Sequence, residues 1–71
     1  KRMIAAELIE TFREEQPLCA FSDKLQGGKV AYGFYSELPD YLKDQDVKTW
    51  DMIVSPEGVK VLFVVVKEIR D

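Results

Sequence analysis

The chain has 71 residues and a mass of 8.2 kDa. A chain this short buries only about 60% of the surface its unfolded form exposes, which excludes doubly wound sheets, strand–helix barrels and two-domain clefts and leaves one small domain. An apolar share of 46% and a charged share of 32% are globular rather than disordered. Thirteen acidic residues against ten basic ones give a net charge of -3 and a pI near 4.9. Proteins that bind phosphate backbones carry a basic stripe, so direct nucleic-acid binding is disfavoured.

Cys19 is the single cysteine and has no internal partner, which points to a reducing, cytoplasmic setting. The longest apolar run, Val61 to Val66, has strand length and falls far short of the ~20 residues of a membrane span. Lys1-Arg2 precedes an amphipathic pattern rather than a leader's continuous apolar core, so no secretory signal is expected; Met3 is read as the native start and Lys1-Arg2 as appended residues.

The predicted elements begin with a helix from Met3 to Glu15. Ile4, Leu8, Ile9 and Phe12, with Ala5, form one apolar stripe, and Glu7, Glu10, Glu14 and Glu15 occupy the rest. Pro17 ends it. So short a helix is marginal in water, and its stripe must pack on something. A hairpin follows. Leu18 to Lys24 places Cys19 and Phe21 on one face, Gln26-Gly27-Gly28 is the turn, and Lys29 to Tyr35 returns. The return strand alternates Val30, Tyr32 and Phe34 with Lys29, Ala31, Gly33 and Tyr35. Gly33 within a strand signals a bulge or a close approach. Ser36 to Asp44 reads as one short helix with Ser36 as N-cap, Pro39 in the first turn and Leu38, Tyr41 and Leu42 as its apolar side.

The second hairpin is the clearest signal. Val47 to Val54 carries Trp50, Met52 and Val54 on one face. Ser55-Pro56-Glu57-Gly58 fits a type I turn closing into a bulge, and Val59 to Ile69 returns. This last ribbon is apolar on both sides, with Val61, Phe63 and Val65 on one and Leu62, Val64 and Val66 on the other, as in a central strand. The expected fold is α+β: an N-terminal amphipathic helix on a four-stranded antiparallel sheet made of two hairpins, in the order α-β-β-α-β-β. The N-terminal helix covers one face. Leu62, Val64 and Val66 are then left to the short helix, a second copy or a different partner.

Chemistry is sparse. Without histidine the usual general base, the commonest metal ligand and the Ser-His and Cys-His pairs are missing. Cys19, alternating in a strand, reads as a small core residue, and one cysteine cannot assemble a zinc site. Residues 37–51 carry five acids against two lysines. Asp44-Gln45-Asp46 lacks the glycine and the later glutamate of an EF-hand, so Asp40, Asp44, Asp46 and Asp51 read as a solvated segment. Gly27-Gly28-Lys29 lacks the flanking residues of a phosphate loop. Among the aromatics, Tyr32, Phe34 and Trp50 read first as core, and Tyr35 and Tyr41 as exposed. Tyr35, Tyr41 and Trp50 are the candidate contact residues, because Tyr and Trp combine large area with a polar tip.

No enzyme, cofactor or metal is expected from this inventory. The expected function is a small non-enzymatic intracellular protein acting through protein–protein contacts, of the accessory, regulatory or inhibitory kind that bacterial and phage genes encode, with self-association to a homodimer as one form. The alternative is an acidic mimic of nucleic acid that occupies a basic cleft.

Overall fold

The computed structural model describes residues 2–12 and 16–70. Its elements are helix α1 (Ala5–Glu10), strands β1 (Leu18–Ser22) and β2 (Val30–Phe34), a 3-10 turn (Tyr35–Glu37), helix α2 (Asp40–Lys43), and strands β3 (Thr49–Val54) and β4 (Lys60–Val65).

Helix α1 is shorter than the predicted Met3–Glu15, for reasons visible at both ends. At the start, the backbone pairs with the segment before β3: the Ala5 amide donates to Gln45 O at 3.0 Å and the Val47 amide to Met3 O at 2.8 Å. That extended pairing removes Met3 and Ile4 from the helix, and the Glu7 carboxylate accepts the Ile4 amide at 2.9 Å. At the far end, the Thr11 amide and hydroxyl both donate to Leu8 O, at 3.1 and 2.6 Å, which tightens the last turn. The predicted positions of Glu14 and Glu15 lie outside the described residues.

Both hairpins form. The first closes over a longer loop than the Gln26–Gly28 turn, with the Asp23 amide donating to Lys29 O at 3.3 Å and the Lys29 amide to the Asp23 carboxylate at 2.9 Å. In the second, the Gly58 amide donates to Ser55 O and the Ser55 amide to Val59 O, both at 2.8 Å. Gly58 sits at φ +85°, where a side chain is strained, so the type I turn and its glycine bulge are as expected. The predicted helix from Ser36 divides in two. Leu38 precedes Pro39 and is held extended at ψ 151°, which separates the 3-10 turn from α2. The Ser36 hydroxyl donates to Gln16 Oε1 at 2.9 Å instead of capping a helix.

The strand order is β2-β1-β4-β3. Each hairpin is antiparallel, but β1 pairs with β4 in parallel, with Cys19 opposite Leu62 and Phe21 opposite Val64. The sheet is therefore mixed, which corrects the expectation of a wholly antiparallel one. The two strands that contribute buried residues, β1 and β4, take the centre, and residues 35–48, carrying the 3-10 turn and α2, pass from the β2 edge to the β3 edge. Both helices consequently lie on one face of the sheet.

Beneath them is the core: Cys19 and Phe21 from β1, Leu62 and Val64 from β4, with Val66 and Ile69 beyond it, against Ala5, Leu8 and Ile9 of α1, Leu38, and Leu42 of α2. Leu62, Val64 and Val66 are thus roofed by the chain's own helices. The segment after β4 is held under this layer by side-chain clasps. Gln45 Nε2 donates to Glu68 O at 2.7 Å while Gln45 Oε1 accepts the Glu68 amide at 2.9 Å. The Tyr41 hydroxyl accepts the Arg70 amide at 2.8 Å, and the Arg70 guanidinium lies 4.5 Å over the Tyr41 ring.

Leu42 is the one buried residue of α2. Leu42→Ala is expected to lower the unfolding free energy by about 3 kcal/mol in urea titrations. A loss below about 1 kcal/mol, the level of a surface change, would show that α2 is not anchored to the core.

Candidate interaction surface

Directly paired residues point to the same side of a sheet, so the registers assign every strand position to a face. Cys19, Phe21, Leu62 and Val64 define the helix side. The opposite side is built from three rows running across the strands. The first is Val30, Ser22, Val65 and Thr49; the second is Tyr32, Ala20, Phe63 and Asp51; the third is Phe34, Leu18, Val61 and Ile53.

Among the described residues, no helix covers this side. Val30 is 57% exposed, Tyr32 63%, Phe34 48% and Ile53 45%, while Leu18, Ala20, Val61 and Phe63 between them are half-buried. Shielding is confined to one end, where Ser22 and Val65 are buried and the Ser22 hydroxyl donates to Lys24 O at 2.6 Å. Asp51 is the only charged side chain in the three rows. Its Oδ1 accepts the amide of Met52 at 2.8 Å. The Ser55–Val59 bond sets the alternation of the β3–β4 ladder, which leaves Met52 N–H on the outer edge of the sheet, so Asp51 also caps an edge donor. Beyond the reach of the helices, the helix side of β3 is exposed too: Trp50, Met52 and Val54 stand at the rim, with Phe12 edge-on to Trp50 at a centroid distance of 5.5 Å.

The candidate contact residues do not come together. Tyr35 is half-buried, packed against the core, with Lys43 Nζ 4.8 Å over its ring. Burial first, and then Cys19, Asp44, Asp40 and Glu10 nearby, raise its phenol above the ordinary tyrosine value. Tyr41 is half-buried and its hydroxyl is engaged with Arg70. Trp50 is exposed, but at the rim of β3, apart from both. The expected roles of the aromatics are reversed: Tyr32 and Phe34, read as core, stand in solvent, while Tyr35 and Tyr41, read as exposed, line the helix layer. The pattern that carried this information was the pair Ala31 and Gly33. They lie under the helix layer, where Ala31 packs against the core and a Cβ at Gly33 would sit in ordinary contact with Leu38 Cδ2, at 3.8 Å. The side bearing Val30, Tyr32 and Phe34 has no such constraint.

Other features offer less. An open depression of about 670 Å³ is bordered by Arg2, Asp44, Gln45, Asp46, Val47, Lys48 and Lys67, with Arg2 and Asp46 paired at 3.2 Å. Asp40 pairs with Lys43 at 3.3 Å and Glu68 with Arg70 at 3.9 Å. Among the described residues, no group of three or more His, Cys, Asp or Glu side chains is placed to hold a metal ion, and no helix is long and apolar enough to cross a membrane. Cys19 is fully buried, with its Sγ 3.4 Å from Pro17 O, and burial raises its thiol from 9.0 to about 11. Comparison with protein-family models, with curated proteins and with solved structures found no match.

A buried, protonated thiol is a poor nucleophile. Iodoacetamide at pH 8 should leave Cys19 unmodified in the native protein and alkylate it in concentrated urea. Because its folded pKa lies above its unfolded one, the stabilisation is complete below about pH 9 and is lost as pH rises toward 11. Rapid alkylation with the fold intact would contradict the placement of Cys19.

Proposed function

We propose that the protein is a non-catalytic binding module that docks another protein chain on the open face of its sheet. The observation that carries this reading is the apolar face itself, continuous over four strands and free of charge except for Asp51. Its exposed apolar area is on the order of 500 Å², within the range of the largest patches on monomeric proteins, which are often functional. Tyr32, Phe34 and Phe63 supply the aromatic anchors that dominate interface energetics. Tyr35 and Tyr41 support the layer behind the sheet, and Trp50 stands on the helix side of β3, outside the docking face.

In this reading the protein acts in the cytoplasm, in keeping with its single unpaired cysteine, as an accessory, regulatory or inhibitory polypeptide. The absence of histidine and the burial of Cys19 support a role without catalysis. The acidic-mimic alternative draws on carboxylates that are partly neutralised, since Asp40, Asp46 and Glu68 each lie within 4 Å of a lysine or arginine.

A photo-reactive phenylalanine analogue in place of Phe34, expressed in the organism that encodes the protein, is expected to give a discrete cross-linked adduct. The same analogue in place of Glu57, in the exposed β3–β4 turn, is expected to give none. No adduct from position 34, or equal adducts from both, would contradict docking on this face.

A further inference from the structure

Resting on that reading, we infer that the occupant of the open face is a second copy of this chain, packed face to face about a two-fold axis that lies between the sheets and runs along the strands. The argument comes from the central row. Across β2, β1, β4 and β3 it reads Tyr32, Ala20, Phe63, Asp51: tall and polar-tipped, low, tall, and acidic.

A two-fold axis in this orientation, passing between β1 and β4, reverses the strand order of the facing copy and keeps its rows in line. Tyr32 then faces the partner's Asp51, and Phe63 faces the partner's Ala20. Each relation occurs twice. The Phe63 ring enters the gap left by the small Ala20, and the Tyr32 hydroxyl donates to the Asp51 carboxylate.

That second relation is what favours a copy over an unrelated partner. An apolar interface that covers Asp51 must supply a donor, because burying an unpaired carboxylate is strongly unfavourable. Asp51 already accepts one bond, from Met52 N–H, and its remaining capacity needs a group on the occupant. This chain carries such a donor, 63% exposed, at the position the symmetry places opposite. The flanking rows meet without a charge: Phe34 faces the partner's Ile53, and Val30 the partner's Thr49. Sheets packed face to face hold their strands within about 30° of each other, so opposition is closest at the middle row. With its rim, each copy buries about 600 Å², about 1,200 Å² in total, at the lower limit of specific interfaces. Weak, transient complexes sit at this end of the size range, so a dissociation constant on the order of micromolar is expected.

Sedimentation equilibrium on the full chain tests the inference. The expected result is a reversible species of twice 8.2 kDa. Ala20→Lys, which fills the gap with a charge, is expected to give a folded monomer by circular dichroism. Tyr32→Phe keeps the ring and is expected to weaken the dimer roughly 10- to 100-fold by stranding two carboxylates. Adding Asp51→Val to Tyr32→Phe is expected to recover most of that loss, a rescue that a merely structural role for either residue does not produce. A chain that stays monomeric up to about 100 µM, far above such a dissociation constant, overturns the inference. So does a dimer indifferent to Ala20→Lys, or one that Asp51→Val fails to rescue. A monomeric chain whose position-34 cross-link is heavier than two copies overturns the second copy as occupant and leaves docking on this face standing.

Discussion

The parallel pairing of β1 with β4 is the contact from which the rest of the molecule follows. It places Cys19 and Phe21 alongside Leu62 and Val64 as one apolar strip down the middle of the sheet. It joins the two hairpins through their first and last strands, so β2 and β3 become the edges. The connection between those edges has to cross the sheet, and it does so on the side where α1 already lies. Two short helices therefore share one face, with Ala5, Leu8 and Leu42 sealed against the strip. Among the described residues, no helix covers the other. The hydrophobic effect favours removing that second face from water, and the most direct way is contact with another chain.

Much of this arrangement was legible in local patterns. The two-sided apolar ribbon from Val61 to Val66 announced a central strand, and β4 is central. Alternation put Cys19 with Phe21 and Val30 with Tyr32 and Phe34, and the registers agree. Ser55-Pro56-Glu57-Gly58 specified its turn residue by residue. What local patterns could not carry was strand order. Each hairpin fixes only its own antiparallel pairing, and nothing in either says which strands meet across the join. The parallel β1–β4 seam is a long-range choice, made by which strips of side chains fit under the helices.

The same gap explains the reversal among the aromatics. Period-two alternation separates the two faces of a strand but does not say which of them is covered. Size does say so here. Ala31 and Gly33 leave room for Leu38, so the Tyr35 side is the covered one, and the large side chains of the opposite side project into solvent. The ends of elements were also hidden, because they depend on distant partners. Met3 is drawn from α1 by Val47, and beyond the Val66 amide, which still donates to Ser22 O, the last segment is fixed by Gln45 and Tyr41.

The central claim is that one face of the sheet is closed within the chain while the other is completed by a neighbouring chain. Side-chain NMR shifts of the purified protein, followed over a dilution series from millimolar to low micromolar, test it residue by residue. The account predicts concentration-dependent shifts at Tyr32, Phe34, Ile53 and Phe63, with Leu62, Val64, Val66 and Leu42 unmoved. Shifts that spare the first group, or that move the second in their place, would contradict it.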